Sequence, residues 1–200
     1  MRNIGLFVGV SRLMLAAGLA LGAAACATAK PEATVPPSAA ASESPASAAE
    51  SGVAPVLSSS VAIPFALKDQ NGETRALDDY RGKVLWVSFW ASWCHACKME
   101  MSALDNVRQS LAGQPFEVLA INIDTPDKHA TAVAQARALK LSYPVLFDPE
   151  KSVVSRYNPP LELPFAVLID KAGRQRFVQR GFLPGEQADI EARIRALLSE

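Results

Sequence analysis

The architecture of this chain is set by residues 84–100, which read VLWVSFWASWCHACKME. The first seven of them form a continuous apolar run, which is short enough to predict a fully buried strand. The residues after the second cysteine favour a helix, because apolar side chains recur at three- and four-residue spacing: Ala103, Leu104, Val107 and Leu111. Cys94 and Cys97 therefore lie where a buried strand passes into the start of a helix.

This position of the Cys-x-x-Cys motif points to thiol–disulfide exchange. At a helix N-terminus, unpaired backbone N–H groups and the positive end of the helix dipole favour a thiolate on the first cysteine. The thiolate is the species that attacks a disulfide. We therefore predict that Cys94 is the nucleophile and Cys97 the resolving thiol. A buried structural disulfide is the alternative interpretation.

The composition narrows the class of protein. Half of the 200 residues are hydrophobic, and 20 Lys and Arg balance 20 Asp and Glu. The apolar content is sufficient for a core, while a neutral chain lacks the basic surface expected of a nucleic-acid-binding protein. The remaining cysteine is Cys26, so a structural disulfide would have to use Cys26 or a cysteine of the motif. The fold must depend on its hydrophobic core.

The N-terminal region reads as a leader and a spacer. Residues 1–25 carry Arg2 and an apolar run from Leu13 that ends in Ala-Ala-Ala before Cys26. This pattern resembles a bacterial lipoprotein signal and implies that Cys26 is lipidated. Cleavage after Ala29, which would leave a protein without a lipid, and an uncleaved anchor are the alternatives. Residues 26–60 are rich in Ala, Ser and Pro without aromatic side chains, which predicts a disordered tether.

Residues 61–200 read as one α/β domain with a mixed central sheet and helices on both faces. The predicted elements are an edge strand at 63–67, strands at 84–90, 116–123, 143–147 and 165–170, a hairpin partner at 174–180, and helices after Cys94, from Pro126 to about Lys140, at 151–157 and from Pro184. Strands alternate with helices first and a hairpin follows near the end. That order favours a sheet that contains both parallel and antiparallel pairs.

Three segments of this domain resemble the TlpA/ResA-like group of exported, membrane-tethered thiol–disulfide oxidoreductases, which have the thioredoxin fold. They are residues 77–83 (LDDYRGK), residues 89–100 with both cysteines and Glu100, and residues 163–170 (LPFAVLID). The resemblance implies that Pro164 is cis and lies against the dithiol. It also implies protein disulfides as substrates, a membrane thiol reductant as electron donor, and apocytochrome c or copper-site proteins as targets. The reaction needs no metal or organic cofactor.

The chain departs from the family pattern at three positions. Ser88 stands where thioredoxin has a buried aspartate, Glu162 stands where the family usually has glycine, and Ser102 replaces a proline in the helix. A hydroxyl does not accept a proton near neutral pH. Proton transfer is therefore expected to involve water, Glu100 or Glu162, and the helix is expected to be straighter.

The remaining site residues each have two interpretations. Glu100 lies on the inward face of the predicted helix, so it is either a partly buried proton shuttle with a raised pKa or a surface carboxylate near the helix start. His95 either stabilises the Cys94 thiolate through its charge or is an exposed residue that shapes the partner surface. Trp93 either covers the dithiol and contacts partners or packs in the core.

Two other functions share some of these features. Cys94, His95, Cys97, Met99 and Met101 are ligand types that suit Cu(I), as in a copper chaperone. However, residues two apart on a helix cannot both face one site, which argues against the pair of methionines. A thiol peroxidase would share the fold, but residues 88–93 lack the proline and threonine usual before a peroxidatic cysteine.

Overall fold

The computed structural model of this protein describes residues 60–200. The signal predicted for residues 1–25, Cys26 and the predicted tether up to residue 59 lie outside the described residues. The strands are β1 (Ser60–Val61), β2 (Ala66–Asp69), β3 (Thr74–Ala76), β4 (Val84–Trp90), β5 (Phe116–Asn122), β6 (Val145–Phe147), β7 (Phe165–Ile169) and β8 (Arg174–Arg180). The α-helices are α1 (His95–Ser110), α2 (His129–Ala138), α3 (Val154–Tyr157) and α4 (Gln187–Leu198). Two 3-10 helices cover Leu77–Tyr80 and Pro126–Lys128.

The eight strands form one mixed sheet in the order β1-β8-β7-β4-β5-β6-β2-β3. Strand β4 is central and pairs in parallel with β5 and antiparallel with β7. All seven of its residues are buried, which explains why its sequence is a continuous apolar run rather than an alternating one. The predicted mixed sheet is confirmed.

Helices cover both faces of this sheet, as predicted. On one face of β4, the Ser88 hydroxyl meets Glu100 of α1. On the other face, the ring of Phe89 lies 5.6 Å from the ring of Tyr157 in α3. Helix α4 contacts both α1 and β4, so it shares the face of α1.

Helix α1 runs without a break over 16 residues. Proline at position 102 would remove a backbone donor and collide with the preceding turn. Ser102 avoids both effects, and its hydroxyl donates to the Lys98 carbonyl at 3.1 Å. The helix is therefore continuous through Ser102, and the expected straightness of α1 stays a prediction.

The predicted edge strand at 63–67 is wrong in its bounds and in its place. The strand begins only at Ala66, since Pro64 has no N–H to donate and the carbonyl of Phe65 accepts the N–H of Leu77. It then pairs on both sides, with β3 and with β6. The edge is formed instead by β3, which at three residues is too short for an alternating pattern to be recognised.

Other bounds shift by a few residues. The helix predicted from Pro126 to Lys140 starts as a 3-10 turn, and α2 ends at Ala138, after which Lys140 adopts a left-handed φ of 53°. The strand predicted from residue 143 starts at Val145, following a proline. Strand β8 has its predicted bounds. None of the helices in residues 60–200 combines the length and apolar character needed to cross a bilayer.

Leu104→Ala tests the packing of α1 against the sheet. Leu104 is fully buried, and removing its side chain from a packed core is expected to lower the free energy of unfolding by about 2–5 kcal/mol. Urea unfolding of the oxidised protein measures this loss. Met99→Ala on the exposed side of the same helix is the control, and we expect its effect to be below about 0.5 kcal/mol. Equal losses in the two variants would contradict the proposed packing of α1.

Candidate active site

The two motif cysteines form a disulfide at the start of α1. Cys94 and Cys97 have a Cα–Cα distance of 5.3 Å. Cys94 is the N-cap residue of the helix, and its sulfur accepts the backbone N–H of Cys97 at 3.2 Å. The exposed fraction is 6% for Cys94 and 0% for Cys97. An incoming sulfur can therefore reach only Cys94, through a small opening, and the helix N-terminus stabilises negative charge on that atom.

The neighbours of Cys94 face solvent. Trp93 is 72% exposed, so its side chain does not belong to the core. His95 is also exposed and lies directly after the nucleophile. Both residues are direct sequence neighbours of the accessible Cys94. They therefore lie where a partner protein would make contact.

Two side chains from other elements hold the loop before Cys94. The N–H of Ser92 donates to Asp124 Oδ2 at 2.8 Å, and its carbonyl accepts from Gln135 Nε2 at 3.0 Å. The same oxygen of Asp124 accepts Asn122 Nδ2 at 2.9 Å. Asn122, Asp124 and Gln135 were not predicted as site residues. Asn122 and Asp124 lie at the carboxyl end of β5, which is parallel to β4. Polar residues there could have been placed near the dithiol, because the carboxyl ends of parallel strands lie at the same edge of a sheet.

Glu100 is fully buried, three residues after Cys97 in α1. The Ser88 hydroxyl donates to Glu100 Oε2 at 2.9 Å. The other carboxyl oxygen, Oε1, has no hydrogen-bond partner among the described residues, and neither has the buried indole N–H of Trp86. Ser88 thus orients the carboxyl group rather than accepting a proton.

Burial raises the pKa of Glu100 to about 7. The hydroxyl of Ser88 and the nearby indole of Trp86 lower this pKa in part, while the negative charge of Glu186 raises it. The prediction of a raised pKa is confirmed, and the interpretation as a surface carboxylate is wrong. Around neutral pH the group can both take up and release a proton, as a general acid–base must.

The Leu163–Pro164 peptide bond is cis, as predicted. The carbonyl of Pro164 accepts the N–H of Gly181 at 2.8 Å. Phe165 pairs with Phe89 near the end of β4, which places Pro164 at the same end of the sheet as the dithiol. Glu162 is exposed, and the backbone N–H and carbonyl of Leu163 make no hydrogen bond within residues 60–200.

The ligand set considered for copper does not come together. Met101 is fully buried, whereas Met99 is on the surface. As predicted from their spacing, the two thioethers do not face one site. The site consists instead of a dithiol, a buried carboxyl group and a cis proline.

Comparison with known proteins identifies the group to which this arrangement belongs. The family model described as the AhpC/TSA family matches residues 59–178. This chain belongs to the AhpC/TSA family. Thiol-disulfide oxidoreductase ResA of Geobacillus kaustophilus is 32% identical over 138 residues, which cover 69% of this chain and 76% of the relative. Thioredoxin-like protein YneN of Bacillus subtilis is 33% identical over 110 residues, or 54% of this chain and 63% of the relative.

Solved structures of similar proteins agree with this placement. A thiol:disulfide interchange protein described as DsbE, from Chlorobium tepidum, has a TM-score of 0.64 and 28% identity, and the match covers 70% of this chain and 96% of that one. The exposed lipoprotein thioredoxin Etrx1 of Streptococcus pneumoniae has a TM-score of 0.57 and 27% identity, covering 68% and 100%. The fold is the thioredoxin fold, and this family member is a thiol–disulfide oxidoreductase with its redox pair at Cys94 and Cys97.

Glu100→Gln tests the buried carboxyl group through stability. The folded oxidised protein keeps the Glu100 proton up to a pKa of about 7, whereas the unfolded chain releases it near the ordinary 4.5. The native state therefore binds more protons in this window, and its stability falls as the pH rises. We expect the stability of E100Q relative to wild type to increase by roughly 2–3 kcal/mol between about pH 4 and pH 8. Urea unfolding at both pH values measures it; a difference independent of pH would contradict the assignment.

Proposed function

We propose that this protein is exported, tethered to a membrane through Cys26, and reduces disulfide bonds of protein substrates. The observation that carries the exchange reaction in this proposal is the asymmetry of the two sulfurs. Cys94 is reachable and accepts a helix N–H, whereas Cys97 is fully buried. In such a pair, Cys94 reacts with the substrate disulfide, and the buried Cys97 then resolves the mixed disulfide.

The proposed reaction transfers two electrons from the reduced dithiol to the substrate. The Cys94 thiolate attacks one sulfur of the substrate disulfide, so that a mixed disulfide forms and the other substrate sulfur leaves as a thiolate. Cys97 then attacks the Cys94 sulfur. The Cys94–Cys97 disulfide forms, and the second substrate sulfur leaves. Both leaving thiolates take up protons, and the reaction needs no cofactor besides the two cysteines.

Glu100 is proposed to accept the proton of Cys97 in the second step. A buried thiol has a raised pKa, so it needs a nearby base before it can attack. Glu100 lies one helical turn from Cys97 and is itself fully buried. Its pKa of about 7 lets it take up this proton at neutral pH and later release it.

The surface around Cys94 is proposed to dock an extended substrate segment. The backbone N–H and carbonyl of Leu163, beside the cis proline, have no hydrogen-bond partner within residues 60–200, which suits pairing with a strand of the substrate. Trp93 adds exposed apolar area next to the attacking sulfur. His95 would favour the Cys94 thiolate when it is protonated.

The cellular setting of the proposed reaction comes from the N-terminal sequence and the relatives. The leader and Cys26 support export and lipid attachment, and the structural neighbour Etrx1 is an exposed lipoprotein thioredoxin. Because the reduced dithiol must be regenerated, we propose a membrane thiol reductant as electron donor. Apocytochrome c and copper-site proteins are the proposed targets.

Single substitutions of the motif cysteines test the reaction. Cys94→Ala is expected to abolish reduction of insulin, since no thiolate remains to attack. Cys97→Ala is expected to stop after the first step and to accumulate a covalent complex with the substrate. Insulin turbidity and mass spectrometry of the unreduced mixture measure the two outcomes. Cys26→Ala is the control and should keep full activity; activity in C94A would contradict the mechanism.

A lipid on Cys26 is tested in cells. Wild-type protein is expected to take up labelled palmitate and to sediment with membranes, whereas Cys26→Ala should do neither. The control is Cys94→Ser, which lacks a motif thiol and should be labelled like wild type. Wild-type protein that is unlabelled, with a mature N-terminus at Lys30, would show cleavage after Ala29 and would contradict the lipid anchor.

A further inference from the structure

The loop before the cis proline is organised by one buried amide side chain. Asn158 follows α3 directly and is 0% exposed. Its Nδ2 donates to the carbonyl of Glu162 at 2.7 Å, and its Oδ1 accepts Arg180 Nη1 at 3.3 Å. Its backbone N–H closes α3 by donating to Val154 at 2.7 Å. Asn158 thus joins the end of a helix through its backbone, and the loop of the cis proline and the last residue of β8 through its side chain.

The same loop holds a residue in a strained conformation. Leu161 has a φ of +57°, which is unfavourable for a bulky L-residue because its Cβ then approaches the backbone carbonyl oxygen. Its N–H donates to the carbonyl of Asn158 at 2.9 Å. Such strain persists only where the surroundings determine the backbone, and it is concentrated at ligand-binding segments. Two hydrogen bonds of Asn158, from its side chain to Glu162 and from Leu161 to its carbonyl, hold the backbone on both sides of Leu161.

These bonds decide which backbone groups remain free. The carbonyl of Glu162 is taken by Asn158 and the carbonyl of Pro164 by Gly181. Between them, the N–H and carbonyl of Leu163 have no partner within the described residues. With the carbonyls on both sides turned to the protein, the groups of Leu163 are left for another chain.

We propose that Asn158 is a positioning residue for substrate docking: by holding the carbonyl of Glu162, it directs the backbone N–H and carbonyl of Leu163 toward an extended segment of the protein substrate. This inference rests on the proposed function and deepens it. The substrates so recognised are disulfides carried on an extended peptide that can pair with Leu163. A small disulfide without peptide groups makes no such bonds and does not depend on Asn158.

The test compares the two kinds of disulfide. Reduced wild type, Asn158→Ala and Asn158→Asp are reacted in single turnovers with insulin and with dithiobisnitrobenzoate. N158A removes both side-chain bonds, whereas N158D removes the donor to Glu162 and keeps an acceptor for Arg180. We expect the insulin concentration at half-saturation to rise about five- to tenfold in both variants, as for the loss of one or two hydrogen bonds. The limiting rate with insulin and the rate with dithiobisnitrobenzoate should stay within about twofold of wild type.

Asp170→Ala is the matched control for general destabilisation. Asp170 is also buried and also fixes a turn, because its Oδ1 accepts the N–H groups of Ala172 and Arg174. It follows β7 at the end of the sheet opposite Pro164. All reactions are run at least 15 °C below the melting temperature of the weakest variant. D170A is expected to match wild type with both disulfides.

The outcomes separate this inference from the function on which it rests. If the Asn158 variants react like wild type with insulin, or slow equally with both disulfides, the positioning role is overturned while the reductase role stands. If only one variant folds, the comparison of its reaction with insulin and its reaction with dithiobisnitrobenzoate decides in the same way. If wild type itself fails to reduce insulin but reacts with dithiobisnitrobenzoate, the proposed function fails, whatever the variants do.

Discussion

The chemistry of this protein depends on the hydrogen bond between the Cys97 N–H and the Cys94 sulfur. It exists because a fully buried strand ends at Trp90 and a helix begins at His95, which leaves the first cysteine at the N-cap. A sulfur there receives unpaired N–H groups and the positive end of the helix dipole. The packing of the buried faces of β4 and α1 keeps the Cys94 sulfur at the N-cap. The reactivity of this sulfur therefore depends on the core of the domain.

A second constraint is the buried carboxyl group of Glu100, one helical turn from Cys97. A fully buried acid costs stability whenever it is charged, and Ser88 supplies only one hydrogen bond to offset that cost. The result is a pKa of about 7 for Glu100, where an ordinary carboxyl group would be fully ionised. The chain thus bears a loss of stability at neutral pH to keep this carboxyl group buried one helical turn from Cys97, and the proposed mechanism uses the group as a proton acceptor.

The sequence predicted those parts of the site whose cause is local. The strand–helix boundary follows from periodicity, and the inward position of Glu100 follows from the helix face that it shares with Ala96, Ala103 and Val107. The cis state of Pro164 came from family resemblance, since the sequence around a proline does not fix its isomer. Asp124 and Gln135 were missed because their common partner, the backbone of Ser92, is distant from them in sequence. Asn158 was missed because no motif marks it, and its partners are the nearby carbonyl of Glu162 and the distant side chain of Arg180. The short strand β3 was missed because three residues carry no measurable period.

The complete burial of Cys97 has a consequence for oxidative damage. A thiol that solvent cannot reach is protected from peroxide and from electrophiles, so lesions in this motif begin at Cys94. A sulfenic acid or a glutathione adduct formed there lies beside a sheltered thiol, which can displace it and restore the internal disulfide. The burial of Cys97 beside Cys94 therefore also limits the oxidation of Cys94 to its irreversible sulfinic and sulfonic acids.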